Sequence, residues 1–231
     1  MFSPVVEDYL KSIWMLQQGG GEAVSTSRIA ERLGLTAAAV TAMVKRLAEQ
    51  RLVSHEPYYG VRLTAPGELA ALRIIRRHRV LELFLQQVLG YEWDRVHDEA
   101  ERLEHAASDE LIERLARFLG EPDRDPHGAS IPTVDGEVDT TEHPVLSELE
   151  PGRPMLVLEV TTGDSEHLRY LGSLELYPGA SVEVIERAPF RGPLTVTVND
   201  TRRVLAYDLA ERIRIVASPS RPRRRARRPG T

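Results

Sequence analysis

Ser27-Arg28-Ile29-Ala30-Glu31-Arg32-Leu33-Gly34-Leu35-Thr36-Ala37-Ala38-Ala39-Val40-Thr41-Ala42-Met43-Val44-Lys45-Arg46-Leu47-Ala48-Glu49-Gln50-Arg51 is the stretch from which the fold is read. Ile29, Ala30 and Leu33 give a short helix an apolar face, and Val40, Val44 and Leu47 do the same for a longer one over 37–51. Gly34 between them permits a sharp change of direction, because glycine reaches positive φ at no steric cost. The pattern predicts a helix-turn-helix, whose second helix enters the DNA major groove. Leu52 to Thr64 follows as two short strands around a turn, a wing bearing Tyr58, Tyr59 and Arg62. Upstream, residues 4–18 read as a helix, with Pro4 in its first turn and Tyr9, Leu10, Ile13, Trp14 and Leu16 at helical spacing.

Beyond the wing, residues 66–89 read as one long helix, whose apolar second half suggests a link to a dimer core. Helices at about 93–106 and 108–119 follow, the latter capped by Ser108. From 121 to about 153, Pro122, Pro126, Pro132, Pro144 and Pro151 interrupt a polar, acidic stretch that reads as a linker. The runs Met155–Val160, Val182–Ile185, Leu194–Val198, Val204–Tyr207 and Ile213–Val216 are short and β-branched, predicting a small antiparallel barrel.

Composition narrows the chemistry. The 231 residues carry no cysteine, which excludes disulfides, zinc-thiolate sites and thiol catalysis. The net charge of −5 is unevenly placed: six arginines lie between Arg221 and Arg228, so the body is more acidic than the total. That tail reads as a disordered, solvated end, or alternatively as an accessory phosphate-binding arm. No apolar run approaches the roughly 20 residues needed to span a bilayer, and the start lacks a secretion signal. The expected location is the cytoplasm, with no membrane partner.

The candidate site lies in His97-Asp98-Glu99-Ala100-Glu101-Arg102-Leu103-Glu104-His105. At roughly 100° per residue, His97, Glu101, Glu104 and His105 fall within about one third of a helix circumference. Two imidazoles and two carboxylates on one face suit a divalent transition metal, although a solvated polar face has the same pattern. Upstream, His78 and Glu82 form a second pair at i, i+4. Without cysteine, such a metal is bound by nitrogen and oxygen alone.

A winged helix, a helical segment with His/Glu clusters, a Pro-rich linker and a small β domain together resemble the diphtheria-toxin-repressor/iron-dependent-regulator family. The local match runs from Arg77-His78-Arg79 through Val96-His97-Asp98-Glu99-Ala100 to Glu104-His105 and Ser108-Asp109-Glu110. The resemblance implies a mainly α chain with a small β domain: a winged-helix DNA-binding domain over 1–75, a helical metal-binding and dimerisation domain over 76–140 and a linker over 141–153. An SH3-like β barrel (iron-transport-protein-A-like) over 154–217 and a disordered basic tail over 218–231 complete it. The family's members are metal-sensing transcriptional repressors, usually dimeric.

Carried onto this chain, the resemblance implies a regulatory metal site of Asp8, Glu101, Glu104 and His105, with the Glu101 carbonyl a further candidate. It implies an ancillary site of His78, Glu82 and His97, with Asp164 and His167 as candidate ligands from the barrel. His55, His127 and His143 are left as surface residues of wing and linker. Iron-type members carry sulfur ligands where this chain has Asp8 and Glu101. Two carboxylates there match the manganese-type branch and favour a harder ion such as Mn²⁺, with Fe²⁺, Co²⁺ and Zn²⁺ as alternatives. Lys11 departs from the manganese-type pattern, which often has an acid at that position, and speaks against a closely spaced pair of manganese ions.

The expected partner is a pseudo-palindromic double-stranded operator bound by a homodimer. Base contacts would come from Thr36, Ala37, Ala38, Ala39 and Thr41. Lys45, Arg46, Arg51 and Arg62 would meet the backbone. The alanine methyls suit thymine methyl groups rather than bidentate hydrogen bonds. Two other readings use the same residues: a metalloenzyme, which lacks a two-histidine protease motif here, and a winged-helix regulator answering to a small organic molecule.

Overall fold

The computed structural model describes residues 2–18, 23–56 and 59–218. Tyr58 of the wing and the basic tail from residue 219 onward lie outside them. The chain divides into two compact units, Met1–Thr141 and Glu142–Thr231.

The first unit opens with α1 (Pro4–Gln17), α2 (Thr26–Leu33) and α3 (Ala37–Glu49), then a hairpin of β1 (Val53–Glu56) and β2 (Gly60–Leu63). Each of the two short helices is started by a side-chain cap: Ser25 Oγ accepts the Arg28 N–H and Thr36 Oγ1 accepts the Ala39 N–H, both at 3.3 Å. Gly34 ends α2 at φ +65°, and the Leu35 N–H returns to the Ala30 carbonyl at 2.9 Å. The hairpin is antiparallel, with Val53 opposite Leu63 and Glu56 opposite Gly60. Leu10, Ile13, Ile29, Val40, Val44, Leu47 and Val61 form its fully buried core. This is a winged helix.

The long helix α4 (Ala65–Gln87) starts at the Thr64 cap and serves two cores. Ala71, Leu72 and Ile75 pack with the winged helix. Val80, Leu81, Leu83 and Leu85 pack with Val96, Ala100, Ile112 and Ala116 of α5 (Val96–Leu103) and α6 (Asp109–Phe118). Between these apolar stretches the same helix buries Arg76, Arg77 and His78. A polar seam therefore separates the two cores. Helix α5 is shorter than the 93–106 expected. Residues 92–95 form a turn, with the Arg95 N–H bonded to the Glu92 carbonyl and the Trp93 indole donating to the Pro126 carbonyl.

The segment after Gly120 is not the free linker that its prolines suggest. Arg76 donates to the Pro132 carbonyl at 2.9 Å, Arg79 to that of Ser130, and Ile131 is buried. These donors satisfy backbone groups that a linker would leave to water.

In the second unit a 3₁₀ turn (Leu146–Glu148) leads into β3 (Met155–Val160), α7 (Ser165–Ser173), β4 (Ser181–Arg187), β5 (Leu194–Val198), β6 (Thr201–Leu205), α8 (Tyr207–Ala210) and β7 (Ile213–Ala217). Helix α7 has no counterpart in the sequence reading, although Asp164 caps it and Leu168 and Leu171 are fully buried beneath it. The strands form one antiparallel sheet in the order β6-β5-β4-β3-β7. The expected closed barrel is corrected by this order. Helix α8 carries the chain from β6 across to β3, so β6 and β7 remain the two edges among the described residues. Irregularities at Val157/Glu159 and Val184/Glu186 bend the sheet without closing it. None of the described helices is long and apolar enough to cross a membrane.

Gly67 shows how tightly the wing meets α4: a Cβ there would lie 1.9 Å from the Leu52 carbonyl oxygen. Gly67→Ala is expected to cost about 1–3 kcal/mol of stability, the range for overpacking. Urea denaturation checks this, and an unchanged midpoint would show that the wing yields at no cost.

Candidate metal centre and nucleic-acid interface

The polar seam is built by three segments. From α1, Glu7, Asp8 and Lys11 project beside the apolar stripe of Val6, Leu10 and Ile13, with Glu7 and Lys11 one turn apart and both buried. From α4 come Arg77, His78 and Glu82. From α5 and the turn after it come His97, Glu101, Glu104 and His105.

Glu104 is fully buried and sits at the centre. Its two oxygens lie 3.0 and 2.8 Å from Lys11 Nζ, and Oε2 lies 2.7 Å from His78 Nδ1. His105 turns Nε2 toward Asp8 Oδ1 at 2.9 Å and Glu104 Oε1 at 3.6 Å. Its Nδ1–H donates to Glu7 Oε2 at 2.8 Å. Glu7 is itself faced by Arg77 at 3.4 Å, and Arg77 also pairs with Asp109. Glu7 thus fixes the ring so that Nε2 faces the other donors. Asp8, Glu104 and His105 each offer a ligand atom within 4.8 Å of the others.

The remaining expected ligands of the first unit gather next to this group. His78 Nε2 and His97 Nδ1 both approach Glu82 Oε1, at 2.9 and 3.1 Å, and the two rings meet edge to face. His78, His97 and Glu101 form a second convergent set. Glu101 therefore stands with the second set by distance, its Oε1 only 2.6 Å from Lys11 Nζ.

A third set, Glu82, Asp125 and His127, was not visible in the sequence. His127, expected at the surface, is buried: its Nε2 lies 3.1 Å from the Trp93 carbonyl and its Nδ1 3.9 Å from Glu82. Asp125 Oδ1 accepts the backbone N–H groups of His127 and Ala129. The tight Asp125–Gly128 turn was the available signal, masked by its proline-rich surroundings.

Asp164 and His167 belong to the second unit. There Asp164 Oδ1 accepts the N–H groups of Glu166 and His167 as the cap of α7, and His167 Nδ1 lies 3.4 Å from Thr162 Oγ1.

Electrostatics follow from burial and pairing. Burial pushes the His78 imidazolium toward losing its proton, but Glu82 and Glu104 outweigh this and raise its pKa to about 9. Burial likewise opposes charge on Glu82 and Glu101; His78 holds the first, and Lys11 the second, below the usual carboxylate range. Burial raises Asp8, and raises Asp125 to about 6. For His105, burial is outweighed by the Glu7 hydrogen bond and by Asp8, so its pKa is raised. Because His78 is raised in the folded state, its stabilisation is complete below its unfolded value and lost as pH rises through about 9. Glu82 and Glu101 act oppositely, losing theirs as pH falls below the ordinary carboxylate range.

The donors suit a divalent cation. Each set combines imidazole nitrogen with carboxylate oxygen, none contains sulfur, and the atoms already converge.

Residues 1–61 match the model for the iron dependent repressor N-terminal DNA binding domain. Residues 64–133 match that for its metal binding and dimerisation domain, and 145–217 the FeoA domain. The diphtheria toxin repressor of Corynebacterium glutamicum is 31% identical over 220 residues, covering 90% of this chain and 94% of that protein. The chain belongs to the iron-dependent repressor family. It is accordingly a metal-dependent, DNA-binding transcriptional repressor and not an enzyme. The iron-dependent repressor IdeR of Mycobacterium tuberculosis is 29% identical over 90% of this chain and 95% of its own. A manganese-dependent transcriptional repressor solved in complex with manganese superposes with a TM-score of 0.85 at 40% identity, covering 92% of this chain and 100% of that one.

In this repressor the first turn of α3 is open to solvent. Ala37, Ala38 and Ala39 are exposed behind the Thr36 cap, while Thr41 is half-buried and donates to the Ala37 carbonyl at 2.8 Å. Lys45, Arg46, Arg51 and Arg62 are exposed, Arg51 at φ +60° where α3 gives way to the wing.

Glu7→Gln weakens the hydrogen bond that does most to raise His105, and removes one of the charges that add to it. The His105 titration, followed by NMR, is expected to move to lower pH, and metal affinity to fall about 10- to 100-fold, as for lost orienting partners of metal-bound histidine. An unmoved titration would show that Glu7 serves Arg77 alone.

Proposed function

We propose that this repressor responds to Mn²⁺ through Asp8, Glu104 and His105, with Glu101 contributing at their edge, and that His78, Glu82 and His97 hold a second ion. The observation carrying this reading is the convergence of Asp8, Glu104 and His105 from two different elements of the first unit. Nitrogen and carboxylate oxygen, without thiolate or thioether, favour a harder ion than an iron-type sulfur site would.

Asp8 rides on α1, which packs in the core of the winged helix; Glu104 and His105 follow α5, which packs in the other core. A bound divalent ion supplies positive charge that these facing carboxylates can share. Without it, Asp8 and Glu104 are like charges held near one another only through His105 and Lys11, a looser joint between the two cores along α4. Drawing them together fixes where α3 stands relative to α5 and α6. In a homodimer that sets the separation of two recognition helices, which must match two half-sites of a pseudo-palindromic operator. The population then shifts toward the arrangement that binds DNA. Thr36, Ala37, Ala38, Ala39 and Thr41 would face base edges, and Lys45, Arg46, Arg51 and Arg62 the phosphates.

His105→Ala is expected to abolish Mn²⁺-dependent operator binding while leaving the circular dichroism spectrum largely intact. Retention of operator binding at wild-type Mn²⁺ concentrations would remove His105 from the regulatory set. The choice of metal has its own test. Glu101→Cys should move activation from Mn²⁺ toward Fe²⁺ and Co²⁺ by about tenfold, or about 1.4 kcal/mol, and Asp8→Met should add to it. Anaerobic operator titrations with each metal measure the ratio; an unchanged ratio in the double variant places selectivity elsewhere.

A further inference from the structure

Lys11 is the one lysine buried in the seam, and its surroundings are those of a bound cation. Its Nζ lies 2.6 Å from Glu101 Oε1, 3.0 and 2.8 Å from the two Glu104 oxygens and 3.2 Å from His78 Nδ1. These neighbours come from both the His78/His97/Glu101 set and the Asp8/Glu104/His105 set. The ammonium therefore stands where the two ligand sets meet, with side-chain exposure of only 7%. An ammonium has three donors, and carboxylates from each set receive them.

Lys11 lies three residues beyond Asp8 on α1, so both project toward the same region. Glu104 Oε1 is approached by Lys11 and also faces His105 Nε2. A divalent ion drawing on Glu104 together with Asp8 and His105 would thus meet a like charge already paired with the same carboxylate. Two cations sharing one buried carboxylate repel strongly, because little water lies between them to screen the charge.

We propose that Lys11 is a tethered competitor for the metal: its ammonium holds Glu101 and Glu104 until a divalent ion displaces it, so metal sensing is an exchange of cations rather than the filling of an open anionic pocket. The exchange keeps α1 joined to the end of α5 in both states and changes which group makes the joint. The metal concentration needed for the response is then set partly by a residue that is not a ligand. This rests on the ligand assignment proposed above.

The test is Mn²⁺ binding to the full-length protein by calorimetry, for wild type, Lys11→Gln and Lys11→Arg. Lys11→Gln, which removes the charge but keeps a polar side chain, is expected to bind about tenfold tighter. Lys11→Arg, which retains the charge, should stay closer to wild type than Lys11→Gln does. An unchanged or weaker Mn²⁺ affinity in a folded Lys11→Gln protein overturns the proposal. A second measurement needs no variant: in ¹⁵N-lysine-labelled wild type, the Lys11 ammonium should be protected from solvent exchange and lose protection as diamagnetic Zn²⁺ is added. Continued protection at saturating Zn²⁺ also overturns it. Wild-type protein that binds neither ion would instead overturn the ligand assignment, a separate failure.

Discussion

The burial of the Glu104 carboxylate is the constraint around which the first unit is arranged. A fully buried charge must be paired or it forces its own protonation. Glu104 meets this requirement with partners from two other helices, Lys11 of α1 and His78 of α4. Those partners must in turn be placed, and the two apolar cores place them. Along α4, the change from Ala71, Leu72 and Ile75 to Val80 and Leu81 leaves a gap in apolar packing that Arg76, Arg77 and His78 fill. The network therefore occupies the polar stretch of that helix between the two cores and reaches on to Glu82.

Breaking such a network at one member costs more than the loss of one hydrogen bond, because the remaining charges stay buried without their partner. This ties the metal chemistry to the fold. His78 connects Glu104 on one side to Glu82 on the other, and Glu82 in turn faces His97 and His127. A change of protonation or ligation at one end is felt electrostatically along the whole chain of groups. The segment after Gly120 is part of this system, since Asp125 and His127 bring a further carboxylate and imidazole to Glu82.

Membership of the iron-dependent repressor family accounts for the pairing of a DNA-binding module with a metal-binding one. The physical link between them in this chain is short. It consists of one face of α1, carrying Glu7, Asp8 and Lys11, laid against the turn that carries Glu104 and His105. Glu7 aims His105, Lys11 compensates Glu104, and Asp8 is left half-exposed, its carboxyl pushed upward by burial and restrained by His105.

The sequence by itself determined most of the elements. Helical spacing of apolar residues, the cap at Ser108 and the turn at Gly34 are local properties, readable without knowing what packs where. The i, i+4 pair His78/Glu82 and the run from His97 to His105 were legible for the same reason. Tertiary structure decided what lay beyond local spacing. Period cannot say that Lys11 meets Glu101 and Glu104 from 90 and 93 residues away, nor that Glu7 rather than Asp8 accepts the hydrogen bond from His105 Nδ1–H. Prolines made residues 121–132 look like a linker, whereas donors from Arg76, Arg79 and Trp93 bind that backbone to the helices. β-Branched runs announced five strands, but whether a sheet closes depends on which edges meet, and α8 decided that by taking β7 to β3. Local sequence sets which conformations are cheap; pairing between distant charges and distant strands is settled only when burial makes leaving them unpaired costly.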